Sequence, residues 1–102
     1  EEDAVGLLVV GDGAATHTEK APGHLDPRAA AFDTGVAAAL ATADTDALAA
    51  LDPALAAELW VAGRAPWQVL AGAAEGLRWD AELLCSVAPF GVAYHVAFWT
   101  PR

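Results

Sequence analysis

Val5 to Val10 is a β-branched and leucine-rich run with no polar alternation, the pattern of a strand buried on both faces of a parallel sheet. It ends at Gly11-Asp12-Gly13. A polar stretch from Gly11 to Leu25 follows, with three glycines, one proline and two of the three histidines. Loops of this length inside a compact domain are usually functional. Asp26-Pro27 predicts a helix start, with the aspartate as N-cap and the proline at the first helical position. Phe32, Val36, Ala39 and Leu40 recur at i, i+4, i+7 and i+8, which predicts a helix to about Thr42 that buries this stripe.

Asp44 and Asp52-Pro53 supply two further caps, and Leu48, Leu51, Leu55 and Leu59 run across them at three- and four-residue intervals. Two short helices sharing one apolar line are expected. Gly63 stops the second, and Pro66 opens a fourth helix in which Trp67, Leu70, Ala74 and Leu77 share a face, with Gly76 as terminator. From Trp79 to Val87, Trp79, Ala81, Leu83, Cys85 and Val87 alternate with Asp80, Glu82, Leu84 and Ser86, the period of a half-exposed strand. Ala88-Pro89-Phe90-Gly91 reads as a turn. From Val92 to Trp99 a second strand sets Val92, Tyr94, Val96 and Phe98 against Ala93, His95, Ala97 and Trp99. The expected class is α/β: one buried strand, about four helices, then a β-hairpin.

This order leaves the first strand short of neighbours, because the other two strands form their own hairpin. The expectation is one domain over residues 1–102 that is the C-terminal half of a larger α/β domain, its sheet completed by an N-terminal half or a second chain, with a homo-oligomer as another way to cover the edges. The acidic opening Glu1-Glu2-Asp3 fits an internal cut more than a signal peptide.

Composition narrows the partners. Of 102 residues, 27 are alanine, leaving 30 larger hydrophobic side chains to build a core. The net charge of −9, with Lys20 and four scattered arginines, lacks the clustered positive footprint that a phosphate backbone requires and repels anionic membranes. The longest apolar stretch, Ala4 to Val10, is seven residues, far below the ~20 that span a bilayer. One cysteine, Cys85, excludes an intrachain disulfide and a thiolate metal site, and a cytoplasmic setting is expected.

The sharpest chemical feature is His17, just beyond the carboxyl end of the first predicted strand, where sites gather in open α/β sheets. Its ordinary titration range suits a general acid or base. Gly13, Thr16 and His24 are the candidate substrate-binding residues around it; by pattern alone His24 also fits loop packing or capping. Asp12 with the two loop histidines matches no known metal-ligand spacing, so no metal ligand is assigned. His95 reads as a core or sheet-face histidine, and Trp79, Trp99, Phe98 and Tyr94 as packing. Ser86, the sole serine, lacks a nucleophile elbow and is set aside.

The stretch Leu7-Leu8-Val9-Val10-Gly11-Asp12-Gly13-Ala14-Ala15-Thr16-His17 resembles the class III extradiol ring-cleavage dioxygenases, where a strand of the catalytic subunit ends in a Gly-x-Gly-x-x-Ser/Thr-His turn. Gly23-His24-Leu25-Asp26-Pro27-Arg28, leading to Phe32-Asp33, is similar to the helix that follows, most of all in the alanine-rich actinobacterial branch of subunit-B-like proteins. The resemblance covers nearly all of the chain as the C-terminal half of that fold. It implies a non-haem Fe(II) cofactor, a small aromatic ligand, and His17 as the acid/base histidine. It also implies two iron-binding histidines in the N-terminal half and a glutamate just before the helix near Pro66, where this chain reads Gly63-Arg64-Ala65-Pro66-Trp67. Two functions follow as expectations: an Fe(II)-dependent ring-cleaving oxidoreductase, or a structural or binding module of the same fold that has lost the iron site.

Overall fold

Helices form where apolar residues recur at three- and four-residue spacing, and a hairpin closes the chain. The computed structural model describes residues 5–102; Glu1-Glu2-Asp3 and Ala4, with the expectations resting on them, lie outside the described residues. The order is α1 Ala29–Thr42, α2 Thr45–Ala49, α3 Pro53–Glu58, α4 Arg64–Ala74, β1 Trp79–Val87 and β2 Tyr94–Pro101. The class is therefore a small α/β domain with four helices and a two-stranded antiparallel hairpin.

The predicted strand at Val5–Val10 does not form. No ladder pairs it among the described residues, and Val5 and Leu8 are 89% and 87% exposed. A strand needs a neighbour for its backbone N–H and C=O groups, and the hairpin lies elsewhere. Only Val9 packs partly against the core.

α1 starts two residues later than Asp26-Pro27 predicts. Asp26 accepts from the Arg28 amide at 3.0 Å and from the Arg28 guanidinium at 2.7 Å, closing a turn ahead of the helix. Asp44 and Asp52 cap α2 and α3 as expected, through the amides of Ala47 and Ala54. α4 begins at Arg64, with Pro66 inside its first turn, where amides have no intrahelical acceptor. It ends at Ala74, so Leu77 lies beyond it and is exposed; Gly76, at φ +82°, turns the chain into β1.

One core gathers Ala14, Val36, Leu40, Leu48, Leu59, Val61 and Trp67, with alanines of α1, α3 and α4 between them. α2 packs on α4, and α1 packs on α2 and the hairpin. An isolated two-stranded ribbon is marginal in water, and this one is tied down by its tryptophans. Trp79 donates its indole N–H to Ala74 O at 3.0 Å, and Trp99 donates to Leu40 O at 2.7 Å.

The hairpin register carries the main surprise. Trp79 to Leu83 pair regularly with Pro101 to Ala97, but Cys85 then pairs with Val96 and Ser86 with His95. Leu84 is an extra residue, a β-bulge. Directly opposite residues of an antiparallel pair share a face, and His95, Ala97 and Trp99 alternate inward on β2. The bulge therefore brings Ser86, rather than Cys85, onto the inner face beside His95.

Candidate active site

The segment between Gly11 and Leu25 has no helix or strand, yet backbone hydrogen bonds stitch it in place. Gly13 N–H donates to Ala93 O at 2.7 Å, Ala15 N–H to Leu59 O at 3.1 Å, His17 N–H to Gly91 O at 3.1 Å and Asp26 N–H to Thr16 O at 2.9 Å. The segment is thus fastened to both the hairpin and the helical core and holds His17 beside α1 and the hairpin turn.

There His17 meets Asp33, on the buried face of α1. Its Nε2 lies 2.5 Å from Asp33 Oδ2. Asp33 Oδ2 also accepts the Ala14 amide at 3.0 Å, and Oδ1 accepts from His95 Nε2 at 3.0 Å. The His95 ring continues the chain, with Nδ1 2.8 Å from Ser86 Oγ. One carboxylate thus joins two histidines, and the second histidine reaches a serine.

Asp33 is 5% exposed. Burial pushes its carboxyl up, but the hydrogen bonds from His95, His17 and the Ala14 amide outweigh burial and hold its pKa below the ordinary value of 3.8. It is a carboxylate at neutral pH and accepts only, so the Nε2 of each histidine carries a proton toward it. His17 keeps Nδ1 as the ring nitrogen that can take up a proton. His95 keeps Nδ1 as an acceptor, and Ser86 donates its hydroxyl hydrogen there. Trp67 meets the His95 ring edge-on, centroids 6.0 Å apart.

A cavity of about 300 Å³ opens on this chain, its lining including the polar side chains of His17, Asp33, Thr34, Ser86 and His95 and the alanines Ala30, Ala37 and Ala93. Of the sequence-predicted residues only His17 lines it. Gly13 is buried behind Asp33, where an added Cβ would come within 2.8 Å of Ala93 Cβ and collide with the carboxylate; it makes room for Asp33. Thr16 is 1% exposed and donates to Leu59 O at 3.2 Å, so it fastens the segment. His24 is exposed, in the left-handed region at φ 62°, with Nδ1 3.3 Å from Glu19 O.

Asp33, His95 and Ser86 line the cavity with His17; by sequence alone His95 reads as a core or sheet-face histidine, Ser86 is set aside and Asp33 is given no role. The signal for Asp33 was a carboxylate on the apolar line Ala29, Val36, Leu40, at i+4 from Ala29. The bulge that turns Ser86 inward has no local sequence mark.

No group of three His, Cys, Asp or Glu side chains able to hold a metal ion occurs among the described residues. Both oxygens of Asp33 and both nitrogens of His95 are committed to hydrogen bonds, and no carboxylate stands between Gly63 and Trp67. The donor set does not fit Fe(II). Nor is any described helix long and apolar enough to cross a membrane. Comparison with family models, with curated proteins and with solved structures finds no match to this chain.

Proposed function

We propose that the chain is a class III extradiol dioxygenase-like domain that contributes a proton-transfer site, with His17 as general acid/base toward a small hydroxylated aromatic. The observation that carries this reading is the pair His17–Asp33 at the cavity. A buried carboxylate that fixes one ring nitrogen leaves the other free to exchange a proton, the orienting arrangement that general acid–base catalysis needs. The cavity's alanine side chains suit an apolar ring, and His17, Asp33, Ser86 and His95 suit its hydroxyl groups. Fe(II) chemistry in this reading needs ligands outside the described residues, and the exposed apolar run Val5–Val10 is the surface through which an N-terminal half, a second chain or another copy would complete the sheet. A cytoplasmic setting belongs to the same proposal.

The donor set favours a second reading, a binding module of the same fold in which the cavity takes the aromatic without turning it over. The deciding experiment is His17→Ala, with Fe(II) supplied anaerobically to both proteins before a panel of catechols is offered. On the first reading the variant still folds, with a Tm lowered by the loss of one hydrogen bond to the Asp33 carboxylate, and loses turnover by roughly 10²–10⁴-fold. If the unaltered protein holds no stoichiometric metal and cleaves no catechol, the enzymatic reading fails; saturable catechol binding weakened by His17→Ala would then establish the module.

A further inference from the structure

The proton-transfer reading leaves the far end of the hydrogen-bonded chain unused. Ser86 Oγ, His95 Nδ1 and His95 Nε2, Asp33 Oδ1 stand in series at 2.8 and 3.0 Å. A nucleophile and its base within hydrogen-bond reach, with the base oriented by a third group, is the constellation of an activated serine. Three contacts hold His95 in place: Asp33 on one nitrogen, Ser86 on the other, and the edge of Trp67. Its side chain is 1% exposed, whereas Ser86 is exposed and lines the cavity. The base is thus buried and its orientation set, while the hydroxyl is open to a ligand.

We propose that Ser86 is a nucleophile, with His95 as its general base and Asp33 as the residue that positions His95, acting on small uncharged esters in the cavity. This goes beyond the His17 reading and does not rest on it. The ring nitrogens are exchanged relative to the common serine-hydrolase arrangement, in which Nε2 faces the serine. Ser86 also sits on a strand beside a bulge rather than on an elbow. Neither difference alters the proton path, because either ring nitrogen can accept while the other donates. In the reaction, Ser86 Oγ bonds to the ester carbonyl carbon as its proton passes to His95 Nδ1. The C–O bond to the alcohol breaks, and the departing oxygen takes that proton. Water then attacks the acyl-serine, gives a proton to His95 and releases the acid, after which the proton returns to Ser86 Oγ; nothing is oxidised or reduced. The preference for an uncharged substrate follows from the net charge of −9 and the alanine-lined wall.

The test uses an electrophile that reads the first half of this reaction. Diisopropyl fluorophosphonate would form an Oγ–P bond and release fluoride, with the Ser86 proton leaving by way of His95. The whole chain is exposed to it at mildly alkaline pH, folded in buffer and unfolded in concentrated urea, and followed by intact mass and peptide mapping. The expected result is one adduct per chain, on Ser86, forming at least ~10²-fold faster in the folded chain, the low end of what a positioned base contributes. Ser86→Ala should abolish the adduct, and His95→Gln should slow it to the unfolded rate. A folded chain that labels no faster than the unfolded one overturns the proposal, as does an adduct that persists in Ser86→Ala. Because the unaltered protein alone supplies the folded-to-unfolded comparison, a His95 variant that fails to fold does not weaken the test.

Discussion

Replacing Asp33 by asparagine isolates what the carboxylate contributes, because the side chain keeps its shape. Oδ2 accepts from two donors, the Ala14 amide and His17, and Oδ1 from one, His95. The asparagine oxygen should therefore take the Oδ2 position and its NH₂ the Oδ1 position, facing the His95 Nε2 proton. His95 must then move that proton to Nδ1, and Ser86 must accept where it now donates. Hydrogen bonds to a charged group contribute roughly 1.5–3 kcal/mol each, against about 1 for neutral ones. Relief from burying a charge offsets part of the loss, which leaves a destabilisation of about 2–3 kcal/mol. For a domain of this size each kcal/mol lowers Tm by about 4–8 °C, so a fall of roughly 10–20 °C is expected, read by tryptophan fluorescence and circular dichroism. The pH dependence gives a second check. The folded-state pKa of Asp33 lies below its ordinary 3.8, so the unfolded chain binds the proton more readily. The stabilisation is complete above about pH 5 and is lost as pH falls through the lowered folded value. The gap between the two proteins should therefore close in acid. Asp26, held at about 2 by the side chain and amide of Arg28, titrates in both proteins and cancels from the difference. A variant that melts within a degree of the unaltered protein at neutral pH, or a gap that persists undiminished in strong acid, would refute the reasoning.

Two further substitutions probe the supports of the site. Gly13→Val places a side chain against Asp33 and Ala93 and should cost about 1–3 kcal/mol by overpacking; ring-proton NMR shifts of His17 and His95 should change more than those of Trp79, and an unperturbed His17 spectrum would show that Gly13 does not make room for Asp33. Gln68 extends from α4 so that Nε2 lies 3.1–3.3 Å from the carbonyls of Leu48, Ala49 and Leu51. Gln68→Ala should therefore destabilise by about 1–2 kcal/mol in urea unfolding, since part-buried carbonyls lose their donor, and a loss below about 0.3 kcal/mol would mean that water replaces the amide freely.

The sequence determined the helices and the hairpin because their causes are local. The caps at Asp44 and Asp52, the leucine line across α2 and α3, and the inward alternation of His95, Ala97 and Trp99 are all written at the spacing at which each element exposes its faces. It also marked His17, since a histidine in a glycine-loosened polar stretch is visible without a fold. Tertiary structure decided the rest. Val5–Val10 has strand composition but no strand beside it, and pairing depends on a partner that composition cannot supply. Leu84 bulges out of the ladder between the pairs Leu83–Ala97 and Cys85–Val96, a place that no local sequence pattern marks. That single extra residue exchanges Cys85 for Ser86 on the inner face. Asp33, His17, His95 and Ser86 come from a helix, an irregular segment and two strands. Their meeting depends on how α1 packs against the hairpin, so no window of sequence contains it.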